Sequence, residues 1–217
     1  MKKKIFVSGC SHVQGHGFPD NINGDTHSKY AWPALIEKDL NFEIVNFSIA
    51  GNSADSMFKD FLNYKDKETL DAIIVMFPYR IRFLMKNPYG DDENFCPGKL
   101  DNSYREKKKF FSSIAFYMTN IKHSDAEDIN YLGNIALFEF FAKKLDIPLW
   151  VGFTDLPDRI LAEEKLGYSN LFNWDTWCVE NNFPKLPDNH WGEQAHAEFY
   201  KIIKKWIFDK KIYQDDK

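Results

Sequence analysis

Three short stretches of the chain carry side chains able to do covalent or acid–base chemistry, and they lie far apart. Ser8-Gly9-Cys10-Ser11-His12-Val13-Gln14-Gly15 holds hydroxyls, a thiol and an imidazole between glycines that permit a sharp turn. Asn46-Phe47-Ser48-Ile49-Ala50-Gly51-Asn52-Ser53 centres on another glycine. Pro187-Asp188-Asn189-His190-Trp191-Gly192 sets a carboxylate two residues before an imidazole. A hydroxyl or thiol attacks a carbonyl usefully only when a base takes its proton, and an imidazole near its ordinary titration range is suited to that work.

Other residue sets invite other chemistries. A Cys10 thiol paired with His190 would be intrinsically more reactive than a hydroxyl. His12 and His16, four apart with Asp20 beyond, have the types of metal ligands, but Gly15, Gly17 and Pro19 read as a loop, not as the helix that would align them. No metal is expected. The aromatic run Leu171-Phe172-Asn173-Trp174-Asp175-Thr176-Trp177 could stack on sugar rings; a tucked loop filling a gap beside the core is the favoured reading. His196 falls inside the last helix and reads as a packed residue.

These loops need a frame. Short apolar runs at Lys4–Ser8, Phe42–Ser48, Ala72–Pro78 and Pro148–Phe153 read as strands. Tyr30–Leu40 carries Trp32, Leu35, Ile36 and Leu40 at helical spacing, and Asn52–Tyr64 carries Met57, Phe58, Phe61 and Leu62. Strand and helix alternating in this way predict right-handed crossovers, a parallel sheet and a three-layer α/β/α sandwich. Further helices are expected over Glu106–Ile121 (Phe110, Phe111, Ile114, Tyr117, Met118), Ala126–Leu145 (Leu132, Ile135, Ala136, Phe140) and Gly192–Asp209 (Ala195, Phe199, Ile202, Ile203, Trp206, Ile207). The stretch Lys86–Tyr104, rich in Asn, Asp, Gly and Pro, reads as a long loop that overhangs a site. In such a sheet the loops at the carboxyl ends of the strands converge, so all three chemical stretches are expected there.

Composition narrows the partners. The 217 residues suit one domain over 1–217, and 28 Lys and Arg against 32 Asp and Glu give a net charge of −4, without the basic field that nucleic acid would require. Cys10, Cys96 and Cys178 form no C-x-x-C pair, so neither a disulfide scaffold nor a cysteine zinc site is expected. Ile5-Phe6-Val7 falls short of the roughly 7–15 apolar residues of an export signal, and no run approaches the ~20 of a membrane span. A cytoplasmic protein without a membrane partner is expected.

Together the three stretches resemble the SGNH or GDSL family of serine hydrolases, whose blocks are Gly-Asp-Ser near the amino end, a central Gly, and Asp-x-x-His near the carboxyl end. The resemblance spans the chain and implies the family's sandwich with a mostly parallel, flavodoxin-like sheet. It implies Ser11 as nucleophile, Gly51 as a backbone oxyanion donor, His190 as base and Asp188 as its orienting carboxylate. It implies hydrolysis of a carboxylic ester, of the class of an acetyl group on a carbohydrate, with no cofactor. Three departures stand out. Cys10 replaces the first-block Asp, where its side chain would turn from the pocket, and Asp188-Asn189-His190 is one residue short. Phe77-Pro78-Tyr79-Arg80-Ile81-Arg82 also lacks the third-block Asn, which leaves Arg80 or Asn52 to supply that oxyanion donor, Arg80 being favoured. A fold kept for carbohydrate binding or structure, without turnover, is the alternative.

Overall fold

Strands β1 (Lys4–Ser8) and β3 (Ala72–Phe77) lie side by side at the centre of the sheet because their runs are apolar on both faces. On β3, Ile74 and Met76 enter one core while Ile73, Val75 and Phe77 enter the other, as the two-residue repeat of a strand demands. The computed structural model describes residues 2–86, 92–95 and 125–213.

Five strands form the main sheet in the order β2 (Glu43–Asn46), β1, β3, β6 (Leu149–Phe153) and β7 (Phe172–Asn173), every pair parallel. The chain therefore winds one way from β1 to β2 and the other way from β3 onward. A crevice opens at that reversal, between the carboxyl ends of β1 and β3. The expected three-layer α/β/α architecture and its parallel sheet are present.

One face of the sheet is covered by α2 (Trp32–Leu40) and α7 (Glu193–Asp209). Trp32, Ile36, Leu40, Ala195, Phe199, Ile203 and Ile207 are buried there, with Ile202 and Trp206 packed at the margin. The other face is covered by α3 (Ala54–Asn63) and α4 (Asp125–Leu145), through Met57, Phe58, Phe61, Tyr131, Ile135 and Phe138. Each fully buried Ile, Met or Phe among them stabilises the fold by about 1.5–3 kcal/mol.

Several elements differ from expectation. On α4, Ala136 is exposed and Phe140 is 58% exposed, while Tyr131 and Phe138 face the core. The helix has apolar residues around most of its circumference, so spacing alone does not fix its inward side. Leu62 on α3 is likewise exposed. An antiparallel pair of strands, β4 (Phe83–Lys86) and β5 (Asp92–Phe95), reaches into the stretch expected as a loop, β5 lying inside it. Helix α5 (Leu156–Leu166), not anticipated, begins behind Asp155 with a proline in its first turn. The aromatic run 171–177 is β7 leading into α6 (Trp174–Glu180), and Trp174 is fully buried, so its indole is core and not a sugar platform. The helix expected over 106–121, Cys96 and most of the 86–104 stretch lie outside the described residues.

Candidate active site

The chain leaves β1 at Ser8 and turns at Gly9, where a Cβ would stand 2.3 Å from Val13 Cγ2 and 3.1 Å from the Met76 carbonyl oxygen. One helical turn, α1 (Ser11–Gln14), follows at once. The Cys10 carbonyl accepts from Val13 N (2.9 Å) and Gln14 N (3.0 Å), so Ser11 occupies the first helical position. An amide there has no intrahelical acceptor and points outward. Ser11 is 6% exposed, and among the described residues its hydroxyl makes no hydrogen bond, to His190 or to any other group. Cys10 turns into the interior, its Sγ 3.8 Å from Thr154 Oγ1, and is fully buried. The neighbouring thiol is therefore withdrawn into the interior, next to Thr154.

The loop after β2 is tied to the same turn. Ile49 N (3.3 Å) and Asn52 Nδ2 (3.1 Å) both donate to the Gly9 carbonyl, which brings Gly51 beside the Ser11 turn. Gly51 takes φ 81°, a left-handed conformation that a side chain would strain. The Asn52 Oδ1 accepts from Ser53 N (3.1 Å), and the Ser53 hydroxyl caps α3 by accepting from Ser56 N (3.2 Å). Asn52 is fully buried, with its side chain bonded to backbone.

His190 and Asp188 meet directly. His190 Nδ1 lies 2.9 Å from Asp188 Oδ2, and His190 N donates to Asp188 Oδ1 at 3.1 Å. The missing residue of the spacing is compensated by Asn189, whose φ of 67° folds the chain back. Leu186 N donates to the His190 carbonyl (2.7 Å) and Asn189 N to that of Leu186 (2.9 Å), which closes the turn. Trp191 is pinned in turn, its Nε1 donating to Asp175 Oδ1 (2.7 Å), while Tyr79 donates to the other oxygen of Asp175 (3.2 Å). Burial alone would raise the Asp188 carboxyl; hydrogen bonds and charge from His190, with a smaller contribution from His16, outweigh it and the net shift is downward.

His190 packs against two imidazoles from the first loop. Its ring centroid is 5.2 Å from that of His12 and 4.8 Å, stacked, from that of His16. His12 follows Ser11 directly, so this contact joins the first and last stretches. Burial, then the charges of His190 and Arg82, hold His12 well below the ordinary histidine range, so it stays neutral. His16 Nε2 lies 3.8 Å from Asp188 Oδ2. Asp20, considered beside these histidines, instead accepts from Ser28 Oγ (2.7 Å) and Lys29 N (2.9 Å). His196 is a core residue as expected: Nδ1 accepts from Trp32 N (3.2 Å), and burial pushes its pKa down to about 3.

Arg80 is engaged elsewhere. Its Nη1 donates to Asp128 Oδ1 (2.7 Å), its Nε is 3.3 Å from Asp158 Oδ1, and its amide donates to Asp158 Oδ2 (3.0 Å). This guanidinium joins α4 to α5, its charge directed at two carboxylates. Arg82, stacked over Tyr79 at 4.9 Å, acts electrostatically on His12, and Lys185 does so more weakly. Sequence reasoning singled out neither Arg82 nor the His16–Asp188 approach, and their spacing along the chain carries no signal for either.

No protein-family model matches the chain, and no curated protein matches it. Solved structures do match in shape. A lipase/acylhydrolase from Enterococcus faecalis is 14% identical at a TM-score of 0.53, with 98% of this chain and 99% of that chain covered. The structure of TesA is 11% identical at 0.52, covering 97% and 100%. An acetyl xylan esterase, Est2A, from the rumen bacterium Butyrivibrio proteoclasticus is 11% identical at 0.55, covering 96% of this chain and 64% of that one. The chain has the fold of these proteins.

Proposed function

We propose that the chain is a serine hydrolase of carboxylic esters, with Ser11, His190 and Asp188 as its triad in one domain. The observation that carries this reading is the two-point grip of Asp188 on His190, with His12, the residue after Ser11, packed against the His190 ring. With Nδ1–H given to Asp188, the His190 Nε2 is left as the basic nitrogen, which is the tautomer a nucleophilic serine requires. Ser11 Oγ attacks the ester carbonyl as His190 takes its proton. The oxyanion forms against the amides of Ser11 and Gly51, neither of which donates to a protein acceptor among the described residues. Collapse returns the proton to the leaving alcohol, and water then releases the acyl group by the same route.

The substrate class proposed is an ester of a small acid, of the kind an O-acetylated carbohydrate carries; a solved acetyl xylan esterase of the same fold supports it. With the Asn52 amide given to Gly9 and Arg80 to two carboxylates, the oxyanion relies on backbone donors. Absence of one side-chain donor lowers turnover by about 10²–10³-fold in enzymes where it has been removed. The same observation favours the second reading, a module that binds without turnover.

Incubation with p-nitrophenyl acetate and a fluorophosphonate probe separates them. Wild type is expected to hydrolyse the ester and take up the label, Ser11→Ala to do neither, and Cys10→Ala to do both. Labelling that survives Ser11→Ala removes the serine assignment, and absence of labelling in wild type favours the binding module.

A further inference from the structure

The triad reading uses one face of Asp188 and leaves His16 without a task. Yet His16, Asp188 and His190 each offer a ligand atom, and these atoms all lie within 4.8 Å of one another. We propose that these three residues form a binding site for a divalent transition-metal cation such as zinc, and that occupancy withdraws His190 from its role as base. The blocking consequence rests on the proposed hydrolase reading; the binding site does not.

The distances suit a metal. Zinc binds imidazole nitrogen and carboxylate oxygen at about 2.0–2.2 Å, which separates neighbouring ligand atoms of a tetrahedral site by about 3.3–3.5 Å. Asp188 Oδ2 is 2.9 Å from His190 Nδ1 and 3.8 Å from His16 Nε2, a pair of values that brackets this separation. Two imidazoles with one carboxylate are a donor set that zinc takes with one position left open, and one that other first-row transition ions also accept. Three protein ligands leave the fourth position to water.

The ligands are also held in place before any ion arrives. A Cβ on Gly24 would stand 2.3 Å from His16 Nδ1, so the Gly24 backbone presses on the outer edge of that ring. A Cβ on Gly17 would stand 2.2 Å from Asp188 Oδ2. Both glycines take positive φ, 75° and 89°. The loop 16–24 thus closes around the cluster so tightly that only glycine fits at either point. Three groups of the right types, preset from two distant parts of the chain, bind an ion with little reorganisation.

Coordination and base catalysis exclude each other at His190. A neutral imidazole bound to a metal through Nδ1 carries its proton on Nε2, so the Nδ1–H bond to Asp188 is replaced by a metal–nitrogen bond and the ring keeps one proton. The Nε2 lone pair that would take the serine proton is then absent. Coordination through Nε2 removes the same lone pair directly.

The test uses the full chain, freed of metal by chelation and titrated with zinc chloride by calorimetry. Diethyl pyrocarbonate modification of His190, read by mass spectrometry, and ester turnover are followed at the same points. One equivalent is expected to bind, to protect His190 and to suppress turnover in proportion to occupancy. His16→Ala is expected to weaken binding by more than about tenfold, and His27→Ala, a histidine outside the cluster, to leave binding unchanged. No saturable binding, or equal affinity in His16→Ala, overturns the site, and turnover that requires zinc overturns the blocking role. Binding and protection in a protein without turnover uphold the site and sink the hydrolase reading. Turnover without binding does the reverse.

Discussion

Asp188 holds His190 through both of its oxygens, one on the imidazole Nδ1 at 2.9 Å and one on the backbone amide at 3.1 Å. The second contact fixes the carboxylate relative to the chain, so the first fixes the ring. Asp188→Asn keeps an oxygen for one contact but offers an amide N–H where the other needs an acceptor. Ester turnover is expected to fall on the order of 10³–10⁴-fold with little change in melting temperature. An unchanged rate would show that another acid, or none, orients His190.

Asn189 makes that grip possible in a spacing one residue short. Its φ of 67° is a region that Asn and Gly tolerate and β-branched residues avoid. Asn189→Gly is expected to preserve kcat. Asn189→Val is expected to lose about 1–2 kcal/mol of stability and to lower kcat more than it changes KM. Equal kcat in the two variants would mean the turn does not set the His190 geometry.

Gly17 lies against the same carboxylate. A Cβ there would stand 2.2 Å from Asp188 Oδ2 and 2.7 Å from Cγ, at a φ of 89°. Gly17→Ala must therefore displace the carboxylate from His190 or shift the loop. Turnover is expected to fall at least tenfold, and the loss to shrink when Asp188→Asn is already present, because both changes strike one contact. Strictly additive losses in the double variant would separate Gly17 from Asp188.

Much of this arrangement was legible in the residues, for reasons that differ by element. The run Ala72–Phe77 admits little but a central strand, and the stripe Ala195, Phe199, Ile203, Ile207 has a single inward side. Helix α4 was legible as a helix but not in its orientation, since Phe140 and Phe138 are equally apolar and only the sheet decides between them. Strand β7 has two residues, Phe172 and Asn173, too few for any alternation to show. At the site, Ser11, Gly51, Asp188 and His190 stood out by type and by position after strands or before a helix. His16 stood out only in the company of His12 and Asp20, because its approach to Asp188 is a contact that only the folded chain creates. Arg80 stood out for the wrong reason: its charge serves Asp128 and Asp158, carboxylates contributed by later helices.

His196 makes stability depend on pH. Burial among aromatic rings, with a smaller contribution from the charge of His190, pushes its pKa from 6.5 down to about 3, while in the unfolded chain it titrates near its ordinary value. As pH falls below about 6.5 the unfolded chain takes up the proton and the folded one does not, so the unfolded state gains. Stability from this residue is complete above pH 6.5 and declines by about 1.4 kcal/mol per pH unit on the way toward pH 3. His196→Asn keeps an acceptor for Trp32 N but removes the titration. The variant is expected to be less stable at pH 7, because a smaller side chain leaves space against Phe18 and Trp174, yet to lose less stability on acidification. Urea unfolding at pH 7 and pH 5 reads both effects. Parallel losses in variant and wild type would place the acid sensitivity elsewhere, with His12, the other imidazole that burial keeps neutral, as the first residue to substitute.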